Sequence, residues 1–324
     1  MNIALLDDVL DVFETLPCVA EFMKRGDHRL SLWKDHTKDV DTLAERLRDA
    51  QALVLLRERT PVPAALIERL PRLRVITLNG PYPHVDVAAC TRHGVLLCAG
   101  AAQPSYATAE LTWGLAIAAM RRIPQEAARL KSGAWQGSVG TGLRGRTLGV
   151  LGYGTIGRQV AGFGRAFGMN VLVWSRERGL AAARADGLDA AASQEALFES
   201  ADLVTLHVRL TSETRGLVTA ADLARMKPDA TLVNTSRAAL IEPGALVDAL
   251  RAGRPGAAAV DVYEREPVID GHPLIEMENV VCTPHLGYVE RDQLDRYYGA
   301  QLARVLAFER GEPVDVVNPM GRNV

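Results

Sequence analysis

Apolar runs alternate with helical patterns from one end of the chain to the other, and no other feature constrains the fold as much. Residues 3–6, 30–33, 52–56, 75–78 and 95–98 are rich in Val, Ile and Leu, and helical stretches such as 40–48 and 63–70 lie between most of them. The second half repeats the scheme, with runs at 148–151, 171–174, 203–206, 232–234, 257–262 and 280–282 and helices such as 156–167 and 243–252. A strand that is apolar at nearly every position is buried on both faces, which is how strands of a parallel sheet with crossover helices read. The chain is therefore predicted to be α/β, with two doubly wound parallel-sheet domains.

Length agrees: 324 residues make about two domains at ~100–200 residues each. Hydrophobic residues make up 48% and charged residues 23%, the balance of a globular chain. Lys and Arg number 37 against 39 Asp and Glu, a net charge of −2. Such a chain has no basic excess to track a phosphate backbone, so nucleic acid is not an expected partner. The four cysteines (Cys18, Cys90, Cys98 and Cys282) form no CxxC pair and no zinc-finger spacing. With no signal-peptide pattern after Met1, this predicts a reduced, cytoplasmic protein and no metal site. No apolar run approaches the ~18–20 residues that would cross a membrane. Segment 108–120 is apolar all round but short and carries Glu110, and reads as a helix buried inside the protein. A soft boundary is expected near residues 99–107. A second soft stretch spans 131–146, with five glycines, and residues 318–324 read as a frayed tail.

The sharpest motif is Gly152-Tyr153-Gly154-Thr155-Ile156-Gly157, a G-x-G-x-x-G that follows an apolar run and opens a helix, with another run beyond it. That context is what a dinucleotide turn requires. Gly152 permits the tight turn, Gly154 lets a pyrophosphate approach the backbone, and Gly157 lets helix and strand pack closely. The unpaired amides at the helix start, including those of Thr155 and Ile156, then face the phosphates. An acid for the ribose 2′-hydroxyl is expected at the end of the next strand. Ser175 stands there instead, 18 residues past Gly157, followed by Arg176, Glu177 and Arg178. A hydroxyl and arginines suit a 2′-phosphate and point to NADP, whereas Glu177 turned inward would suit NAD. The expected cofactor is NAD(P), with the balance toward NADP.

Three polar residues follow strand-like runs in the second half: Arg237 after 232–236, Glu266 after 258–265, and His285 after 280–284. Ligands of open α/β sheets bind beyond the carboxyl ends of the strands, so all three fall on the dinucleotide's edge. Taken singly, each has a plainer reading, as a surface arginine, a loop glutamate or a capping histidine. Histidine supplies a proton near neutral pH, a carboxylate beside it favours the imidazolium, and arginine matches a carboxylate with two parallel bonds.

Four stretches in this order resemble the D-isomer-specific 2-hydroxyacid dehydrogenase family, which includes glyoxylate/hydroxypyruvate reductases and phosphoglycerate dehydrogenases. They are the glycine turn, Asn234-Thr235-Ser236-Arg237, Asp261-Val262-Tyr263-Glu264-Arg265-Glu266-Pro267 and Thr283-Pro284-His285-Leu286-Gly287. The resemblance covers nearly the whole chain. It implies that Arg237 binds the substrate carboxylate and carbonyl, that His285 is the acid/base and that Glu266 is its partner. It further implies that Asp261 meets the nicotinamide carboxamide, that Thr108 packs near the ring, that His207 lies along the cofactor cleft, and that Arg57 and Gly80 face substrate. A flavodoxin-like substrate domain is implied at 1–100 and 287–324, with a Rossmann dinucleotide domain at 101–286. The active site is expected between the two, with helical segment 291–308 returning to the first. Segment 108–146 resembles the family's dimerisation region, implying a homodimer. The expected partner is a small-molecule 2-keto or 2-hydroxy acid.

Some residues depart from the family pattern. The usually glycine-rich substrate loop is Asn79-Gly80-Pro81-Tyr82-Pro83-His84, in which two prolines remove amide donors and bring Tyr82 and His84 forward as substrate contacts. Ala238 stands where the family usually has glycine, and Arg209 where it has proline. Selectivity is expected to rest on Tyr82, Trp135 and Tyr288. The alternative function is a dinucleotide-sensing, corepressor-like binding protein that keeps the fold without significant turnover.

Overall fold

A computed structural model of the chain describes residues 1–100 and 106–318. The described residues fall into two compact units, 1–100 with 291–318, and 106–290. Part of the soft boundary at 99–107 and most of the tail at 318–324 lie outside the described residues.

The first unit holds a five-stranded, all-parallel sheet: β1 (Asn2–Leu5), β2 (Arg29–Leu32), β3 (Ala52–Val54), β4 (Val75–Asn79) and β5 (Leu96–Gly100), in the order β2-β1-β3-β4-β5. This is the flavodoxin-like order, whose switch point lies beyond the ends of β1 and β3. One core packs Leu53, Ile76 and Leu97 against Leu43, Leu47, Leu66 and Ile67 from the crossover helices Val40–Leu47 and Ala64–Ile67. The 19-residue helix Arg291–Glu309 belongs to this unit, where Tyr298 meets Phe13 edge-on at 4.9 Å. Asn318, the first residue of the expected frayed tail, is held in place. It is buried, accepts from the Leu97 amide at 2.7 Å and donates to Val95 O at 2.9 Å, tying this residue to the start of β5.

The second unit holds seven parallel strands: β6 (Thr147–Leu151), β7 (Asn170–Trp174), β8 (Asp189–Ala190), β9 (Leu203–Leu206), β10 (Thr231–Asn234), β11 (Ala257–Val260) and β12 (Val280–Cys282). Their order is β12-β11-β10-β9-β6-β7-β8, so the strand order reverses between β6 and β9. The central strands feed both faces. Val233, Ala259 and Val281 point to one core and Leu232, Ala258 and Val280 to the other. This double burial is why the runs are apolar throughout, and each fully buried Val or Leu contributes about 1.5–3 kcal/mol. Strand β8 has only two residues, too few for a pattern to show.

The helix Tyr106–Met120 packs Ala109, Trp113, Ala116 and Met120 into the first of these cores. It is not wholly enclosed: Tyr106, Glu110 and Gly114, four residues apart, form an exposed line. The segment around it continues into the helix Ile123–Lys131, none of whose residues is buried.

Candidate active site

The glycine turn joins β6 to the helix Thr155–Ala166 at the strand-order reversal. Gly152 has φ 96°, and a Cβ there would lie 2.7 Å from His207 O. A Cβ on Gly157 would lie 2.1 Å from Gly152 O, so any side chain would push helix from strand. Gly154, the N-cap, is the opposite case: nothing stands within 4 Å of its Cβ position, and no side chain caps the helix. The first-turn amides of Thr155 and Ile156 thus follow an N-cap that offers no side-chain acceptor.

His207 follows β9, its amide donating to Leu151 O at 2.7 Å. Both ring nitrogens are buried with no hydrogen-bond partner among the described residues. Burial pushes the imidazole down to about 3, so the ring is neutral at physiological pH. A bare helix start, an open glycine and an orphaned imidazole at one reversal point fit a dinucleotide.

At the end of β7, the Ser175 hydroxyl accepts from the Tyr153 amide at 3.3 Å. It therefore braces the glycine turn itself. Arg176 pairs with Glu213 at 2.7 Å, both about three-quarters exposed. Glu177 pairs with Arg184 rather than turning inward. Tyr153 Oη donates to Asp186 at 2.7 Å, and Arg158 holds the other oxygen of that carboxylate at 2.6 Å. The motif had not pointed to Glu213 or Asp186. The helix Glu177–Ala185 and the loop after β9 bring them in, so only the tertiary fold reveals them.

The three residues expected to carry catalysis, Arg237, Glu266 and His285, lie beyond β10, β11 and β12. Asn234, the last residue of β10, donates to Arg237 O at 2.9 Å and accepts from the Ser236 amide at 3.0 Å, closing a turn that carries Arg237 past the strand end. Arg237 Nη1 donates to Ser236 O at 2.7 Å. Beyond β11, Glu266 Oε1 accepts from the Tyr263 amide at 2.9 Å, while Oε2 lies 2.6 Å from His285 Nδ1. Burial opposes ionisation of Glu266. The His285 hydrogen bond, the Tyr263 amide and the charges of His285 and Arg237 outweigh it and hold the carboxyl below its usual range. Guanidinium, carboxylate and imidazole therefore share one electrostatic neighbourhood.

His285 itself sits at φ 56°, a left-handed conformation that a side chain rarely takes. Asp261 explains how it is held. This fully buried carboxylate accepts from the Leu286 amide at 2.7 Å, the Gly287 amide at 2.8 Å and the Thr283 hydroxyl at 2.6 Å. Thr108 adds a bond to Gly287 O at 2.6 Å. Asp261 and Thr108 thus clamp the loop that carries His285. Burial raises the Asp261 pKa, with the three bonds pulling against it. Thr283 is a participant that sequence reasoning had left unassigned.

In the first unit, Arg57 follows β3 and Gly80 follows β4, with φ 54° and 98°. Nothing stands within 4 Å of the Gly80 Cβ position. Tyr82 is exposed. The two ring nitrogens of His84 are buried without partners among the described residues, and burial lowers its pKa. Among the described residues no group of His, Cys, Asp and Glu could hold a metal ion, and no helix is long and apolar enough to cross a membrane.

Comparison with known proteins identifies the family. Residues 113–287 match the family described as D-isomer specific 2-hydroxyacid dehydrogenase, NAD binding domain. A glyoxylate reductase from Aeropyrum pernix is 37% identical, over 94% of this chain and 94% of its own. A D-3-phosphoglycerate dehydrogenase from Methanocaldococcus jannaschii is 38% identical over 85% of this chain, which spans only 53% of that longer protein. A solved oxidoreductase structure from Ralstonia solanacearum superposes with TM-score 0.92 at 48% identity, covering 98% of this chain and 97% of its own. The chain belongs to the D-isomer specific 2-hydroxyacid dehydrogenase family, and its second unit is that family's NAD-binding domain.

Proposed function

We propose that the chain reduces a small 2-keto acid to the D-2-hydroxy acid, and runs the reverse oxidation, with Arg237, His285 and Glu266 at the reacting centre. The observation that carries this is the 2.6 Å contact between His285 Nδ1 and Glu266 Oε2, in the field of Arg237. Because Glu266 accepts at Nδ1, Nε2 is left to face the substrate. His285 gives its Nε2 proton to the carbonyl oxygen as it becomes an alkoxide, and takes it back in the oxidation. Glu266 stabilises the imidazolium and fixes the ring's orientation. Arg237 matches the substrate carboxylate in a fork and polarises the adjacent carbonyl. Gly152, Gly154, Thr155, Ile156, Gly157 and His207 would hold the dinucleotide, with Thr108 and Asp261 keeping the His285 loop against it. Bound there, the nicotinamide supplies the hydride. Arg57, Gly80 and Tyr82 complete the proposed substrate contacts.

The finer preference we propose is NADP, supported by Ser175 in place of an acid and by Arg176 beside it. Glyoxylate and hydroxypyruvate are the substrates to try first. Turnover of either with NADPH or NADH tests the reading. Tight cofactor binding without turnover across a broad panel of keto acids would support the sensor instead.

We also propose a homodimer. The helix Ile123–Lys131 buries no residue, and Ile123, Leu130, Trp135 and Val139 stand exposed around it, a patch suited to a second copy. Four unpaired thiols, two of them buried, fit a reducing compartment, and the cytoplasm is the one proposed.

A further inference from the structure

Arg57 leaves β3 in a left-handed conformation, φ 54°, so something must hold its backbone there. Its amide donates to Tyr297 Oη at 2.9 Å. The same hydroxyl donates to Asn79 O at 3.5 Å, and Asn79 Nδ2 returns a bond to Tyr297 O at 2.6 Å. Asn79 is the last residue of β4 and precedes Gly80; its Oδ1 is taken by Arg304 Nη1 at 2.7 Å. One phenol therefore joins the two strand ends that carry Arg57 and Gly80. The far end of the Arg57 loop is fixed separately. Thr60 Oγ1 donates at 2.7 Å to buried Asp7, whose other oxygen lies 2.6 Å from His36 Nδ1. Residues 57–60 are thus pinned at both ends by side chains from elsewhere in the unit.

We propose that Tyr297 is a positioning residue for substrate recognition: its hydroxyl sets the Arg57 backbone, and through Asn79 that of Gly80, so that the guanidinium meets an anionic group of the keto acid in one orientation. This rests on the reading of Arg57 as a substrate contact. The competing role is packing alone, since Tyr297 also meets Tyr298 edge-on at 5.6 Å. Tyr297→Phe keeps that ring and removes only the hydroxyl.

A double-mutant cycle in the full-length protein separates the two. KM and kcat for the keto acid, KM for the dinucleotide and Tm are measured for wild type, Tyr297→Phe, Arg57→Met and the double variant. Losing one such hydrogen bond is expected to raise KM for the keto acid about three- to tenfold, with kcat and the dinucleotide KM within about twofold. Arg57→Met is expected to raise KM more, and the double variant to be no worse than Arg57→Met. Equal effects of Tyr297→Phe in both backgrounds, or a lower Tm with KM unchanged, would overturn the proposal. An unchanged KM in Arg57→Met would instead remove the reading of Arg57 itself. Should Tyr297→Phe fail to fold, Thr60→Val tests the same coupling from the loop's other end. Non-additivity with Arg57→Met supports the proposal and additivity overturns it.

Discussion

His285 Nδ1 and Glu266 Oε2 stand 2.6 Å apart just beyond the ends of two neighbouring strands, and the proposed function assigns this pair the proton transfer. With His285 as the proton donor, His285→Gln should lower kcat by about 10²–10⁴-fold while leaving dinucleotide binding unchanged. Steady-state kinetics with parallel cofactor titration checks both.

The same pair gives a pH dependence of stability. The Glu266 carboxyl is held below its usual range, so its ionised form contributes stability that is complete above the unfolded value of about 4.3. That contribution is lost as pH falls through the lower folded value. Wild type should therefore melt above Glu266→Gln at neutral pH, and the gap should narrow as pH falls through the lowered folded value. A gap independent of pH would contradict the assignment.

The glycine turn separates folding from binding. Gly157→Ala places a methyl group 2.1 Å from Gly152 O and should destabilise the fold, by about 1–3 kcal/mol or more through overpacking. Gly154→Ala meets nothing within 4 Å, so Tm should hold while dinucleotide affinity falls. Thermal melts and cofactor titrations on the two variants read this contrast.

The proposed preference for NADP rests on Ser175 and on Arg176, which pairs with Glu213 at 2.7 Å. Arg176→Asp should shift preference toward NADH by about tenfold or more, a charge-assisted bond to a phosphate being among the strong ones. Glu213→Gln, which frees the guanidinium, should shift it a few-fold toward NADPH. Ratios of kcat/KM for the two cofactors measure both, and unchanged ratios would reject the lean to NADP.

Much of this was legible before any coordinates. The eleven apolar runs all became strands; in most, burial on both faces leaves little room for polar positions, as Leu232 and Val233 illustrate by facing opposite cores, whereas β2 buries none of its residues. Arg237, Glu266 and His285 were readable because each lies just past such a run. What stayed hidden depends on the tertiary path. Glu213 lies 37 residues from Arg176, and Tyr297 lies 240 from Arg57, with no spacing rule to connect them. Asp261 carried an expected role at the nicotinamide. Its three loop bonds from Thr283, Leu286 and Gly287 became visible only once β11 and β12 were paired. Strand β8, at two residues, was too short to leave a pattern.

Arg237 carries the remaining test of residue type. Arg237→Lys keeps the charge but loses the fork, and should raise KM for the keto acid and lower kcat together, costing about tenfold or more in kcat/KM. Unchanged kinetics would count against its role.

The most direct measurement is single-turnover oxidation of bound NADPH or NADH by glyoxylate and hydroxypyruvate, in wild type and in Arg237→Lys and His285→Gln. Rapid turnover by the wild type, with chemistry slowed in both variants and cofactor affinity preserved, is the predicted result. A wild type that binds the dinucleotide yet never oxidises it, or variants that react as fast as wild type, would contradict the account.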